Sequence, residues 1–94
     1  MTVEELKAEL EKIISKLTSS GFSSIDPGTV EKLDKFAASA GGLGMKEGNK
    51  LIENLSGAMK AIQDGKSKAE SGDVRLTALE FYVKKLSSAT TEDL

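Results

Sequence analysis

The chain has no cysteine and no histidine among its 94 residues. The lack of cysteine excludes disulfide bonds, thiolate nucleophiles and thiolate metal sites. The lack of histidine removes the side chain that titrates near neutral pH, and with it Ser-His-Asp and Cys-His catalysis and most zinc sites. Carboxylates, lysines and hydroxyls remain, and none of them can be named as an activated nucleophile or base. We therefore expect a protein without enzymatic activity, metal or cofactor.

Aromatic residues, net charge and long apolar runs are also scarce. The chain has three Phe, one Tyr and no Trp, and its formal net charge is −2. This composition offers neither the clustered cations that bind duplex nucleic acid nor a stacking platform for single strands. No window approaches the roughly 18 apolar residues of a membrane span, and the N-terminus is acidic and amphipathic instead of signal-like. We expect a cytoplasmic protein that binds neither nucleic acid nor membrane.

What is present is apolar residues at helical spacing along almost the whole chain. The first stripe predicts a helix over about residues 3–19, with Thr2 and Glu5 at the spacing of a capping box. A second helix is expected to follow Asp26 as N-cap and Pro27 as its first residue. A third is predicted over about 45–64, and a fourth from about residue 73, with Val74 in its apolar stripe, to residue 86.

The glycines are expected to separate these helices. Gly41, Gly42 and Gly44 should end the second helix, since glycine weakens helix interiors and tolerates positive φ. A "GKS" segment begins at Gly65, but the phosphate-loop pattern needs a glycine five residues earlier, where Lys60 stands, and a preceding strand. We do not interpret it as a phosphate site.

Short connections between four helices predict an all-α protein, an antiparallel up-down four-helix bundle. A single domain should span residues 1–86, and residues 87–94, which show no apolar period, should be a mobile C-terminal tail. The residues expected to form the core are Leu6, Leu10, Ile13, Leu33, Phe36, Leu51, Leu55, Ile62, Leu79 and Val83.

The segment "SAGGLGMKEGNKLIENLSGAM" carries a more specific pattern. Small residues precede a Leu-Gly pair at Leu43 and Gly44, and apolar residues then follow Gly44 at +7, +11 and +14, which are Leu51, Leu55 and Ala58. This resembles the signature of histidine-containing phosphotransfer domains: a phosphorylatable His, then Leu, Lys, Gly, small residues, Leu-Gly and a helix of the same spacing. The resemblance covers about 30 residues, and the others fit as flanking helices of a bundle.

The chain departs from that family at the residues of its chemistry. Asp34 stands ten positions before Gly44, where the family keeps its histidine, and Ala37 and Ala38 replace the Lys and Gly. Phosphoryl relay through a phosphohistidine is therefore impossible. Either the chain kept a docking surface and lost the chemistry, or it is an unrelated bundle with the same packing solution.

The spacing of Asp34, Ala37, Ala38 and Gly41 places them on one helix face, which ends near Gly44. In the family this face receives a receiver domain, whose own helix packs beside the histidine. We interpret these five residues as a candidate partner-binding surface. Two other interpretations stay open: the small residues let the second and third helices pack tightly, or the face binds a small ligand.

These observations lead to two functional hypotheses. The first is a non-catalytic binding module of the phosphotransfer type, which docks a receiver-like partner in bacterial-type two-component signalling and competes with a true phosphotransfer protein. The alternative is a structural or chaperone-like helical protein that self-associates through an amphipathic helix, the first or the fourth. An enzyme is the weakest of the three classes considered.

Overall fold

A computed structural model describes residues 2–22 and 25–92, with the backbone alone for 87–92. The helices are α1 (Val3–Ser20), α2 (Pro27–Gly42), α3 (Lys46–Gln63) and α4 (Ala69–Glu92), and the described residues contain no strand. Each helix packs against the next along the chain, α1 on α2, α2 on α3 and α3 on α4, and α4 also packs against α1. This confirms the predicted all-α four-helix bundle. None of these helices, over the described residues, combines the length and apolarity needed to cross a membrane.

Both predicted N-terminal caps are present. The Thr2 hydroxyl accepts the Glu5 backbone N–H, and the Glu5 carboxylate accepts the Thr2 backbone N–H, each at 3.1 Å. At the start of α2, the Asp26 carboxylate accepts the backbone N–H of Gly28 at 2.9 Å, and Pro27 occupies the first helical position. These short-range bonds satisfy backbone donors that a helix leaves free at its start.

The end of α2 differs from the sequence expectation, because Gly41 and Gly42 are helical and Gly44 alone has positive φ, 79°. The Gly44 N–H donates to the Gly41 carbonyl at 3.2 Å, and the Met45 N–H donates to the Ala40 carbonyl at 2.9 Å. These two bonds form a Schellman motif, in which a left-handed glycine satisfies the last carbonyls of a helix. Only Gly44 is needed to end the helix.

Gly65 ends α3 in the same way. Its φ is 73°, its N–H donates to the Ile62 carbonyl at 3.1 Å, and the Lys66 N–H donates to the Ala61 carbonyl at 2.8 Å. This glycine therefore serves a second Schellman motif. Within the "GKS" segment, Gly65 therefore ends α3 through its left-handed backbone conformation.

The fourth helix begins four residues earlier than predicted, at Ala69 instead of Asp73. Gly72 directly precedes the predicted start at Asp73. It is helical and buried against the ring of Phe22: a Cβ atom at Gly72 would lie 2.8 Å from that ring. At its other end α4 continues to Glu92, past the predicted end at residue 86. Mobility of 87–94 stays a prediction, and residues 93–94 lie outside the described part of the chain.

The core contains eight of the ten expected residues, while Leu51 and Ile62 are only partly buried at its edge. Val74 was assigned to the inner stripe of α4 but is 63% exposed. It lies two residues from Leu76, which is buried, and two residues correspond to about 200° around a helix. The two side chains therefore point in opposite directions. The residues of the core cluster are Leu6, Leu10, Ile13, Ile14, Leu17, Phe22, Val30, Leu33, Phe36, Ala37, Ala40, Ile52, Leu55, Met59, Leu76, Leu79 and Val83.

Candidate functional site

Asp34 lies on α2 where that helix borders α3, and both of its carboxylate oxygens have partners. The Ser56 hydroxyl donates to Oδ1 at 2.6 Å, and the Lys60 ammonium donates to Oδ2 at 3.0 Å. Ser56 and Lys60 are four residues apart and therefore lie one above the other on the same side of α3. The Ser56 side chain is buried, whereas those of Asp34 and Lys60 are about half exposed. The Asp34 carboxylate is thus held in place and still reaches the surface.

These contacts favour the ionised form of Asp34. The hydrogen bond from Ser56 lowers the pKa of Asp34 most, followed by the hydrogen bond from Lys60; burial raises it by less than either bond lowers it, and the charge of Lys60 adds the smallest lowering effect. A general base works best when its pKa lies near the working pH. Asp34, whose pKa is below its ordinary value, is therefore suited to a fixed negative charge and poorly suited to accepting protons at neutral pH.

Ala37 is part of the contact between α2 and α3. Its side chain is 3% exposed, and its carbonyl accepts the Asn49 side-chain amide at 2.6 Å. That bond joins two neighbouring helices directly. Of the five predicted site residues, Ala37 is therefore the one that packs inside the bundle and offers no surface to a partner.

Gly41 lies at the contact between α2 and α3 and is also exposed on the surface. A Cβ atom at this position would lie 3.3 Å from the Asn49 amide nitrogen, so the glycine gives that amide its space. Gly41 is nevertheless exposed, as are Ala38 and Gly42, and Gly42 has open space where a Cβ would stand. Ala38, Gly41 and Gly42 themselves carry nothing larger than a methyl group.

We call the resulting surface the α2/α3 face. It consists of Asp34, Ala38 and Gly41 on α2, with Asn49 and Lys60 on α3, and Gly44 lies in the turn at its end. On this face the α2 side chains at Ala38 and Gly41 are small or absent, and a fixed ion pair lies beside them. Such a shape permits the close approach of another helix, and the ion pair offers one charge of each sign to it. Within the described residues, no three acidic side chains cluster closely enough to hold a metal ion.

Sequence reasoning found the α2 half of this face and missed the α3 half. Asn49, Ser56 and Lys60 follow one another at +7 and +4, which places them on one side of a helix. That spacing could have identified a polar edge beside the apolar stripe of α3. The sequence offers no local signal that this edge meets Asp34 and Ala37, because the pairing depends on how the two helices are rotated.

Comparisons of the chain with protein-family models, with curated proteins and with solved structures find no match. The resemblance to phosphotransfer domains therefore depends on the pattern of residues around Asp34 and Gly44 alone.

Proposed function

We propose that this chain is a non-catalytic protein-binding module that docks a receiver-like signalling partner through the α2/α3 face. The observation that carries the proposal is the exposure of Ala38, with Gly41 and Gly42 one turn further along, beside an anchored Asp34. A partner helix can approach the α2 backbone closely there. Few large side chains need to be ordered, which lowers the entropic cost of binding.

The kind of partner is inferred from the resemblance. In phosphotransfer domains the corresponding face receives a receiver domain, and Asp34 occupies the position of the phosphorylated histidine. Asp34 and Lys60 form an ion pair at 3.0 Å in that place. A pair of opposite charges at a fixed position contributes to orientation and specificity more than to affinity.

Without an imidazole the module cannot take up a phosphoryl group as phosphohistidine. Its mode of action is therefore occupancy: while it is bound, the receiver surface is closed to a true phosphotransfer protein. The consequence for the cell is set by the concentrations and dissociation constants of the two competitors.

Isothermal titration calorimetry against purified receiver domains encoded in the same genome tests the proposal. We expect one of them to bind, and we expect Ala38→Arg to weaken that binding by about a hundredfold, since a long side chain at an interface centre excludes the partner. The matched control is Ala8→Arg, the same change at an exposed position of α1. If no receiver domain binds, or if Ala8→Arg weakens binding as much as Ala38→Arg does, the proposal is wrong.

A further inference from the structure

A groove separates α1 from α4, away from both helices of the α2/α3 face. Its volume is about 270 Å³, with Ile14 and Val83 as apolar lining and Glu11, Ser15, Glu80 and Lys84 around them. Ile14 and Val83 belong to the buried core, so the base of the groove is the core itself. The groove therefore offers an apolar site with a charged rim.

The groove has room for an aromatic ring. A cavity of about 150 Å³ lined by aliphatic and aromatic side chains accepts benzene. The groove between α1 and α4 is open to solvent and exceeds that volume, so its size admits one phenyl ring.

The chain itself presents such a ring beside the groove. Phe81 is 61% exposed, whereas the other two phenylalanines, Phe22 and Phe36, are buried in the core. Phe81 is three residues before Lys84, whose ammonium lies 5.9 Å from the ring centre. Lys84 thus lies both at the rim of the groove and beside the exposed ring, so ring and groove are neighbours on the surface.

We propose that the occupant of this groove is Phe81 of a second copy of the chain. A two-fold interface requires a self-complementary surface, in which each copy supplies both halves of the contact. This surface carries an aromatic ring and an apolar groove side by side. Around a two-fold axis, the ring of each copy enters the groove of the other.

The charges around the two halves complement each other in the same way. The rim of the groove carries two carboxylates, Glu11 and Glu80, beside Lys84, and a second cation, Lys85, follows Lys84 on the α4 segment after Phe81. Within one chain, Glu80 pairs with Lys84 at 3.2 Å and Glu11 pairs with Lys7 at 3.8 Å, and the four side chains are between 30% and 68% exposed. Exposed pairs of this kind are weak. They can be exchanged for pairs between two copies at little cost.

Sedimentation velocity over a range of protein concentrations tests this inference. We expect wild type to dimerise reversibly, and Phe81→Ala to raise the dimer dissociation constant by at least about tenfold, as for a buried aromatic anchor. The matched control is Leu43→Ala, which removes an exposed apolar side chain at the end of α2, away from α1 and α4, and should have little effect. Circular dichroism should show all variants folded.

Mixing two defective variants identifies the ring and the groove as partners. Ser15→Arg fills the groove and leaves Phe81 intact, whereas Phe81→Ala leaves the groove open. An equimolar mixture should associate more strongly than either variant alone, because one ring-in-groove contact is restored. A monomeric wild type, a Leu43→Ala effect as large as that of Phe81→Ala, or a mixture no better than its components would overturn the inference. Ala38→Arg should leave dimerisation unchanged, which separates this interface from the α2/α3 face.

Discussion

At the scale of single residues, Asp34 carries the charge chemistry of the α2/α3 face. Its pKa lies below its ordinary value of 3.8, so its ionised form stabilises the folded protein. By linkage, that contribution is fully present above the pKa of the unfolded chain and is lost as the pH falls through the lower folded pKa. The contribution of Asp34 is therefore confined to pH values above the acid range.

Asp34→Asn should consequently destabilise the protein most near neutral pH. We expect the difference in unfolding free energy between wild type and Asp34→Asn to shrink as the pH is lowered from 6 to below the ordinary Asp value of 3.8. Urea denaturation at a series of pH values measures it. Ser56→Ala should reduce the pH dependence more than Lys60→Met, because the Ser56 hydrogen bond is the larger cause of the lowered pKa. A difference that stays constant with pH would contradict this account of Asp34.

Ala37 and Ala38 are neighbours in sequence with opposite surroundings, and one substitution distinguishes them. Ala38→Arg should leave the melting temperature almost unchanged, because the site is exposed and Arg is a good helix former. Ala37→Arg forces a charged side chain into the contact between helices, which costs about 1 to 3 kcal/mol for overpacking and more for the charge. Since about 1 kcal/mol corresponds to 4 to 8 °C here, a loss of more than about 10 °C is expected.

Differential scanning calorimetry of the two variants measures that contrast. Similar losses in both would mean that Ala38 also packs against a neighbouring helix, and the α2/α3 face would then have no exposed centre. The sequence placed Ala37 and Ala38 on one face but could not say which of them is covered. Consecutive residues are about 100° apart around a helix, so a neighbouring helix can cover one of them and leave the other exposed.

At the scale of the helices, glycines act in two different ways. Gly57 of α3 is exposed and has open space where a Cβ would stand, so it has no packing role. Gly72 of α4 lies against the ring of Phe22. The first should merely weaken its helix, whereas the second permits a contact on which the packing of α4 depends.

Replacing each of these glycines with alanine should therefore have effects of opposite sign. Gly57→Ala should stabilise the protein by about 0.5 to 1 kcal/mol, which is the difference in helix propensity. Gly72→Ala gains the same propensity, but its Cβ must displace a buried ring, so we expect a net loss of stability. Chemical denaturation of both variants tests the pair. Stabilisation by Gly72→Ala would show that Phe22 moves aside easily.

The helices that the sequence predicted best are those with local signals at their ends. The Thr2 and Glu5 capping box and the Asp26-Pro27 start depend on neighbours in the chain, and both were predicted correctly. The predicted start of α4 is four residues too late, and the contact that packs this first turn, between Gly72 and Phe22, joins residues distant in sequence. Gly41 is similar, since its close neighbour is Asn49 on the next helix. Tertiary contacts of this kind leave no local trace.

At the scale of the whole molecule, the bundle depends on one shared core. Leu55 of α3 is fully buried, and Leu55→Ala should cost about 2 to 5 kcal/mol, a large share of the stability of a small domain. Leu43, at the end of α2, is 37% exposed and offers the matched control, because Leu43→Ala removes less buried surface. Thermal and urea denaturation measure both. Equal effects would contradict the assignment of Leu55 to the centre of the core.

The molecule presents two candidate interfaces that share no helix. The fold class followed from apolar periodicity, because that pattern depends only on which residues avoid water. Neither interface could be completed from the sequence. To complete the α2/α3 face, one has to know that Ser56 and Lys60 lie beside Asp34. To find the groove between α1 and α4, one has to know that these two helices, which are far apart in the chain, lie side by side.

The measurement that tests the proposed function most directly is a ¹H–¹⁵N NMR titration of the wild-type chain with the receiver domain that binds it. We expect the amide signals of Asp34, Ala38, Gly41 and Lys60 to shift or broaden, while those of Ser15 and Phe81 stay as they are. Perturbations confined to α1 and α4, with the signals of the α2/α3 face unchanged, would contradict the account.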